Sequence, residues 1–115
     1  MFEAQMLIVN AGSYAVYSPW FPRGGDNLRA TLEVVNRSGT PTLTVTVYTK
    51  NTEDVGNGTE ANTTTISGGA AGRTVAEWAG VTKQLVRYKF APTGTAGDWT
   101  LFRMLAPIWF DSVVA

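Results

Sequence analysis

The stretch LRATLEVVN, residues 28–36, decides the fold class of this chain. Apolar and polar side chains alternate along it, as in a β-strand whose successive side chains point to opposite faces. A second alternating stretch, TLTVTVYTK at residues 42–50, follows after the five residues RSGTP. Because that connection is too short for a parallel crossover, we expect the two strands to form an antiparallel hairpin. The predicted inward side chains are those of Leu28, Ala30, Leu32, Val34, Leu43, Val45 and Val47.

Short apolar or alternating segments, bounded by Gly, Pro, Asn and Thr, continue along the rest of the chain. Residues 51–63 and 67–74 are expected to be long polar connections, and residues 75–80 fit either a strand or one helical turn. Further strands are expected at residues 2–9, 14–17, 62–66, 74–78, 84–90, 99–105 and 108–113. About eight short strands predict an all-β chain, a single-domain antiparallel β-sandwich of residues 1–115 with jelly-roll-like topology.

The composition excludes most catalytic and metal-binding chemistry. The 115 residues include no Cys and no His, so disulfides, thiolate nucleophiles, His-containing triads and His-ligated metals are ruled out. No motif brings two carboxylates together across a cleft, as a glycosidase requires. We therefore expect no enzymatic activity, no cofactor and no metal.

The charges are balanced, with nine Lys and Arg against nine Asp and Glu. A net charge of zero gives no overall field that would draw the chain to nucleic acid or to an anionic membrane, and we expect neither as a partner. Glu3 stands where a secretory signal needs positive charge. No export is therefore expected, and the predicted location is a virion, or the cytoplasm before assembly.

Acidic side chains cluster in EDVGNGTE, residues 53–60, as they do in calcium-binding loops. The stretch lacks the alternating carboxylates and the twelfth-position glutamate of an EF-hand loop. Asn57 and Gly58 instead form the Asn-Gly pair that favours a tight turn. We interpret the stretch as a solvated turn in preference to a calcium site.

Aromatic, charged and turn-forming residues are combined in SPWFPRGGDN, residues 18–27. Pro22 fixes φ, and Gly24 and Gly25 permit positive φ, so we interpret the stretch as a joint leading into the strand at residues 28–36. Trp20 and Phe21 are expected to close one end of the core or to contact a neighbouring molecule. The large rings of the chain as a whole are interpreted as core in preference to a platform for sugars.

The segment WTLFRMLAPIWF, residues 99–110, is apolar on both faces when extended. Since each sheet of a two-layer sandwich has one face toward water, this segment needs a second cover, from a loop, the chain ends or another subunit. The similarly apolar stretch at residues 2–9 offers an alternative, in which the two terminal segments pair centrally and cover each other. The residues expected at an interface are Trp20, Phe21, Arg23, Phe102, Arg103, Met104, Trp109 and Phe110.

These features favour a non-enzymatic structural protein that assembles with copies of itself or with other structural subunits, such as a capsid protein. A small virion accessory component, for example a bacteriophage capsid cement or decoration protein, has this character. The alternative is a carbohydrate-binding β-sandwich module in which exposed tryptophans stack on sugar rings. That alternative predicts Trp20 or Trp78 in solvent and no stable oligomer.

Overall fold

Two antiparallel β-sheets make up the described part of the chain. The computed structural model describes residues 5–9, 15–56, 58–61, 65–81 and 83–111. Within these ranges there is no helix of the length and apolarity needed to cross a membrane. The strands are β1 (Met6–Val9), β2 (Val16–Tyr17), β3 (Phe21–Pro22), β4 (Asn27–Arg37), β5 (Thr42–Lys50), β6 (Thr59–Glu60), β7 (Ile66–Gly68), β8 (Gly72–Trp78), β9 (Leu85–Thr93), β10 (Trp99–Met104) and β11 (Ile108–Phe110).

The first sheet is built on β4, its longest strand. Leu28 of β4 lies opposite Trp78 of β8 on one edge and opposite Trp109 of β11 on the other. β11 and β10 lie one after the other along the same edge of β4, with β11 beside residues 27–29 and β10 beside residues 32–37. β1 pairs with the other edge of β10. The sheet therefore runs from β1 through β10 and β11 to β4 and then β8.

The second sheet is built on β5 and β9, which pair along their whole lengths from Thr42 opposite Thr93 to Lys50 opposite Leu85. β2 and β3 lie one after the other on the free edge of β9. β6 and β7 occupy the free edge of β5 in the same way. This sheet therefore has two long central strands and two interrupted edges.

The strand order is that of a jelly roll. If β2 with β3, β6 with β7, and β10 with β11 are each taken as one interrupted strand, eight strand positions remain. The first position pairs with the eighth, the second with the seventh, the third with the sixth and the fourth with the fifth. One long hairpin rolled into two sheets gives this pairing. The prediction of an antiparallel sandwich with jelly-roll-like topology is confirmed.

The predicted hairpin between residues 28–36 and 42–50 is wrong, because β4 and β5 belong to different sheets. The connection crosses from one sheet to the other, with Gly39 at a φ of 64° and Pro41 buried. Alternation specifies which face of a strand is buried, but it does not specify which strand lies beside it. The seven predicted inward side chains of β4 and β5 are all buried in one core cluster. The two strands therefore face each other across the core.

Several predicted boundaries also change. Residues 72–78 are a strand and not a helical turn, and the polar connection predicted at residues 67–74 shrinks to residues 69–71. β3 was not predicted, because Pro22 cannot donate a ladder hydrogen bond, yet proline is tolerated on an edge strand such as this one. Residues 2–4, 14, 62–64 and 112–113 of the predicted strands lie outside the described residues.

Gly68 tests how closely the two sheets pack. It lies on the inner face of β7, and a Cβ added there would come within 2.7 Å of Leu32 Cδ2 and 2.9 Å of Val34 Cγ2, both on the opposite sheet. We expect Gly68→Ala to lower the free energy of unfolding by about 1–3 kcal/mol, since overpacking forces the sheets apart. Urea unfolding followed by circular dichroism measures this change.

Gly69→Ala is the matched control, because a Cβ at Gly69 meets only Thr42 Oγ1, at 3.9 Å. We expect this control to unfold at nearly the wild-type urea concentration. Equal midpoints for the two variants would contradict the close approach of β7 to β4.

Candidate functional site

Three of the residues expected at an interface lie in the core. Phe21, Phe102 and Met104 are buried, and all three belong to the cluster that joins the two sheets. Phe21 contacts the ring of Tyr88 with centroids 5.4 Å apart, and Phe102 contacts the ring of Phe90 at 5.0 Å. Their side chains are used within the single chain, so they are left out of the proposed interface.

The joint at residues 18–27 packs against Trp109. A Cβ at Gly24 would lie 2.6 Å from Trp109 Cδ1, so glycine is needed there for a close approach. Gly24 and Gly25 are not among the glycines with positive φ, and the conformational reason predicted for them is wrong. Arg23 fastens the same joint, since its Nη1 donates a hydrogen bond of 2.7 Å to the carbonyl of Val81. Trp109 and Arg23 thus hold the chain's own segments together.

Arg103 and Phe110 lie on the outer face of the first sheet. Arg103 Nε donates a 2.6 Å hydrogen bond to one oxygen of Glu33, and Arg73 Nε donates a 2.8 Å bond to the other. The three side chains come from adjacent strands, at positions directly opposite one another. Phe110 is half-buried, and the guanidinium of Arg29 lies 5.8 Å from its ring centroid. The centre of this face is therefore held by ion pairs.

The same face has an apolar area where apolar surface was predicted, on residues 2–9 and 99–110, but its residues are not among those expected at an interface. On β1, Leu7 is 62% exposed and Val9 is 40% exposed. They lie opposite the half-buried Leu101 and Trp99 of β10. We call these four residues the β1–β10 patch. The sequence showed that β10 is apolar on both faces, but the face with Phe102 and Met104, which also carries buried Thr100, is the inward one.

Pairing of the two terminal segments does not cover the β1–β10 patch. β1 does pair with β10, from Met6 opposite Phe102 to Val9 opposite Trp99. The two strands lie side by side in one sheet, however, and β1 is at its edge. Strands in this arrangement share an outer face without shielding it. The two segments pair with each other, as predicted. However, β1 is not central in the sheet, and the two segments do not cover each other's outer face.

The sheet edges differ in their protection against pairing with another chain. Among the edge strands, β8 carries exposed Arg73 and Glu77, and β3 contains Pro22. β2, β6, β7 and β11 are two or three residues long, against four for β1. Charge, proline and short length are the usual defences of an edge. The residues of β1 are MLIV, with neither charge nor proline. Of the edges that the structure describes, β1 is therefore the least defended.

The outer face of the second sheet has a different chemistry. The guanidinium carbon of Arg87 lies 4.1 Å from the ring centroid of Tyr17 and 4.4 Å from that of Trp20. Lys50 Nζ lies 4.8 Å from the Trp20 ring. Trp20, a predicted interface residue, is thus half-buried beneath cations on the sheet opposite the β1–β10 patch.

No arrangement for catalysis or metal binding emerges from the described residues. They contain no group of three or more carboxylates positioned to hold a metal ion. Asn57 of the predicted turn lies outside the described residues, and its neighbour Gly58 has a φ of 76°. Burial raises the pKa of the Tyr88 hydroxyl, which therefore stays protonated and is no nucleophile.

An apolar cleft opens between β1 and β2, where the edges of the two sheets meet. Its volume is about 110 Å³, and its lining includes Met6, Val16, Phe90 and Met104. Ligand sites combine such apolar walls with a few converging polar groups. The lining of this cleft is almost entirely apolar, so it supplies no chemistry of its own.

Comparisons of the chain with protein-family models, with curated proteins and with solved structures give no match. The class of the fold, a jelly-roll β-sandwich, is defined by the strand order alone. The outer faces supply two candidate sites, the β1–β10 patch and the cation-covered face of the second sheet.

Acidification tests the ion pairs at Glu33. Hydrogen bonds from Arg73 and then from Arg103 lower the pKa of the Glu33 carboxyl below its usual 4.5. Because the unfolded chain binds this proton more tightly, the contribution of Glu33 to stability is present above about pH 4.5 and is lost as the pH falls through the folded pKa. We expect Glu33→Gln to be less stable than wild type at pH 7, with the difference shrinking as the pH falls below about 4.5.

Urea unfolding midpoints at several pH values measure this dependence. Glu77→Gln is the control, since Glu77 meets a single arginine, Arg29, at 3.4 Å and both side chains are about half exposed. A constant difference between wild type and Glu33→Gln from pH 7 to pH 3 would contradict the assignment.

Proposed function

We propose that this chain is a non-enzymatic structural protein that acts by assembly through the β1–β10 patch. The observation that carries the proposal is the exposure of Leu7 and Val9 beside half-buried Trp99 and Leu101, on an undefended edge strand. Contiguous exposed apolar side chains mark interaction surfaces. The ion pairs of Glu33 border this patch and give it a polar rim, as many protein interfaces have.

The partner that best fits the patch is a second copy of the chain. In an antiparallel pair of two β1 strands related by a twofold axis, the same residues meet from both sides. Leu7 and Val9 of both copies would then lie on one outer face of a continuous sheet. The uncharged sequence MLIV allows this pairing, because no like charges are brought together. Self-association also explains how an apolar edge is kept from non-specific aggregation.

The specific form of the proposal is a virion accessory component, such as a bacteriophage capsid cement or decoration protein. Jelly rolls occur in viral capsid domains as well as in lectins, so this support is an analogy of fold. The balanced net charge and the absence of Cys and His agree with a role in assembly. The partner in a virion would be a further structural subunit in addition to the second copy.

The carbohydrate alternative requires a tryptophan face open to solvent. Trp78 is fully buried in the core, and the Trp20 ring carries Arg87 and Lys50 at 4.4 and 4.8 Å. A sugar would have to displace these cations to stack on that ring. No observation favours the carbohydrate function over assembly.

Sedimentation equilibrium tests the proposal directly. We expect wild-type protein to form a dimer at micromolar concentration, and Leu7→Ser/Val9→Ser to be monomeric, since the double change removes the exposed apolar area of β1. Circular dichroism should give the same folded spectrum for both proteins, because Leu7 and Val9 point outward.

Val55→Ser is the matched control. Val55 is 98% exposed but lies in the connection between β5 and β6, away from the patch. We expect this control to dimerise like wild type. A monomeric wild-type protein, or equal association of wild type and the double variant, would refute assembly through β1.

A further inference from the structure

The outer face of the second sheet collects cations and aromatic rings from four segments of the chain. β9 presents Arg87 and Lys89, and β5 presents Tyr48 and Lys50, at alternating positions that point away from the core. β2 adds Tyr17, and the segment after it adds Trp20. We call these six residues the cation–aromatic face.

The cations of the two sheets differ in the groups that they contact. On the first sheet, Arg29, Arg73 and Arg103 each meet a carboxylate within 3.4 Å. On the second sheet, the structure shows no salt bridge to Lys50 or Lys89 among the described residues. Their ammonium groups lie instead over the rings of Trp20, at 4.8 Å, and Tyr48, at 5.7 Å. The described strands of this sheet carry three cations, Lys50, Arg87 and Lys89, against one carboxylate, that of Glu60 opposite Tyr48, so this outer face has a local positive excess.

The rings and cations of this face hold one another in place. The Arg87 guanidinium contacts both the Tyr17 and Trp20 rings, and Tyr17 meets Tyr48 edge to face with centroids 5.9 Å apart. Tyr17 remains 36% exposed. Such contacts fix the side chains before a ligand arrives, so little conformational freedom is lost on binding.

The strand geometry gives the face a length suited to an extended polymer. The cation–aromatic face runs from Lys50, level with Leu85, to Lys89, which is about 13 Å at one end of the nine-residue strands β5 and β9. Beyond the charged part, the outer side of β5 continues with Thr44 and Thr42, whereas the hydroxyl of Thr46 is buried. Basic and aromatic side chains on a sheet are the means by which small β domains bind single strands, with bases stacked on rings or guanidinium planes.

We propose that the cation–aromatic face binds single-stranded nucleic acid. Lys50 and Lys89 contact phosphates, and a base stacks on the side of the Tyr17 ring away from the Arg87 guanidinium, which lies 4.1 Å from the ring centroid. An acidic protein or an acidic polysaccharide would use the cations but would gain less from the rings, because planar bases stack on them most fully. The face lies on the sheet opposite the β1–β10 patch, so this binding does not depend on self-association.

Fluorescence anisotropy with a labelled twelve-nucleotide oligo-dT tests the proposal in 50 mM salt. We expect Lys50→Gln/Lys89→Gln to weaken binding at least tenfold. The slope of log affinity against log salt should become shallower by about 1.4, since single strands contribute about 0.7 per phosphate contact. The matched control is Arg29→Gln/Arg73→Gln, which removes two charges from the other sheet and should bind like wild type.

Tyr17→Leu separates nucleic acid from other polyanions. The change keeps an apolar side chain but removes the ring, and we expect oligo-dT binding to fall by about fivefold or more. Heparin and poly-glutamate should bind wild type more weakly than oligo-dT and should be insensitive to this variant. Circular dichroism verifies that each variant is folded, and quenching of tryptophan fluorescence by oligo-dT provides a second readout on wild type.

Three results would overturn the proposal. The first is that oligo-dT does not bind wild type in 50 mM salt, and the second is that the two charge variants lose the same affinity for oligo-dT. The third is that heparin or poly-glutamate binds wild type as tightly as oligo-dT does, while Tyr17→Leu leaves oligo-dT affinity unchanged. The sedimentation state of each sample, measured alongside, keeps a failure of self-association distinct from a failure of nucleic-acid binding.

Discussion

The packing of the apolar face of the sheet built on β4 against the apolar face of the sheet built on β5 is the contact on which the rest of the structure depends. It buries the alternate side chains from Leu28 to Val34 of β4 and from Leu43 to Thr49 of β5. Because side chains alternate, the same contact determines which residues point outward on each sheet. The register of each strand that pairs with β4 or β5 then determines which of its side chains lie on the inner face and which on the outer face. Both outer faces are therefore consequences of one buried contact.

The two outer faces have separate chemistries because they lie on opposite sides of that core. On the first sheet, Glu33 neutralises two arginines, and the exposed side chains of Leu7 and Val9 form an apolar area on β1, at the edge of the sheet. On the second sheet, Lys50, Arg87 and Lys89 are placed over aromatic rings. An apolar edge suits a second protein chain, and a positive face with fixed rings suits a charged polymer. The proposed assembly and the proposed nucleic-acid binding accordingly need not compete.

Alternation in the sequence predicted the inward residues of β4 and β5, and with them the sandwich. It did not predict that these strands lie in different sheets, because lateral neighbours are set by the whole rolled hairpin and not by a five-residue connection. For β10 both faces are apolar, so alternation could not choose between them, and the interface was expected at buried Phe102 and Met104. The cation–aromatic face escaped prediction because Trp20 and Arg87 are far apart in sequence and meet only after folding.

Hydrogen–deuterium exchange at low and high protein concentration tests the central claim, that β1 is the surface through which copies of this chain assemble. We expect the amides of β1 that point to its free edge, at alternate residues, to exchange more slowly at high concentration. The amides of β8, the opposite edge of the same sheet, should exchange equally at both concentrations. Slow exchange in the central strands β4, β5 and β9 should remain unchanged. Exchange in β1 that does not depend on concentration, or new protection in β8 instead, would contradict assembly through β1.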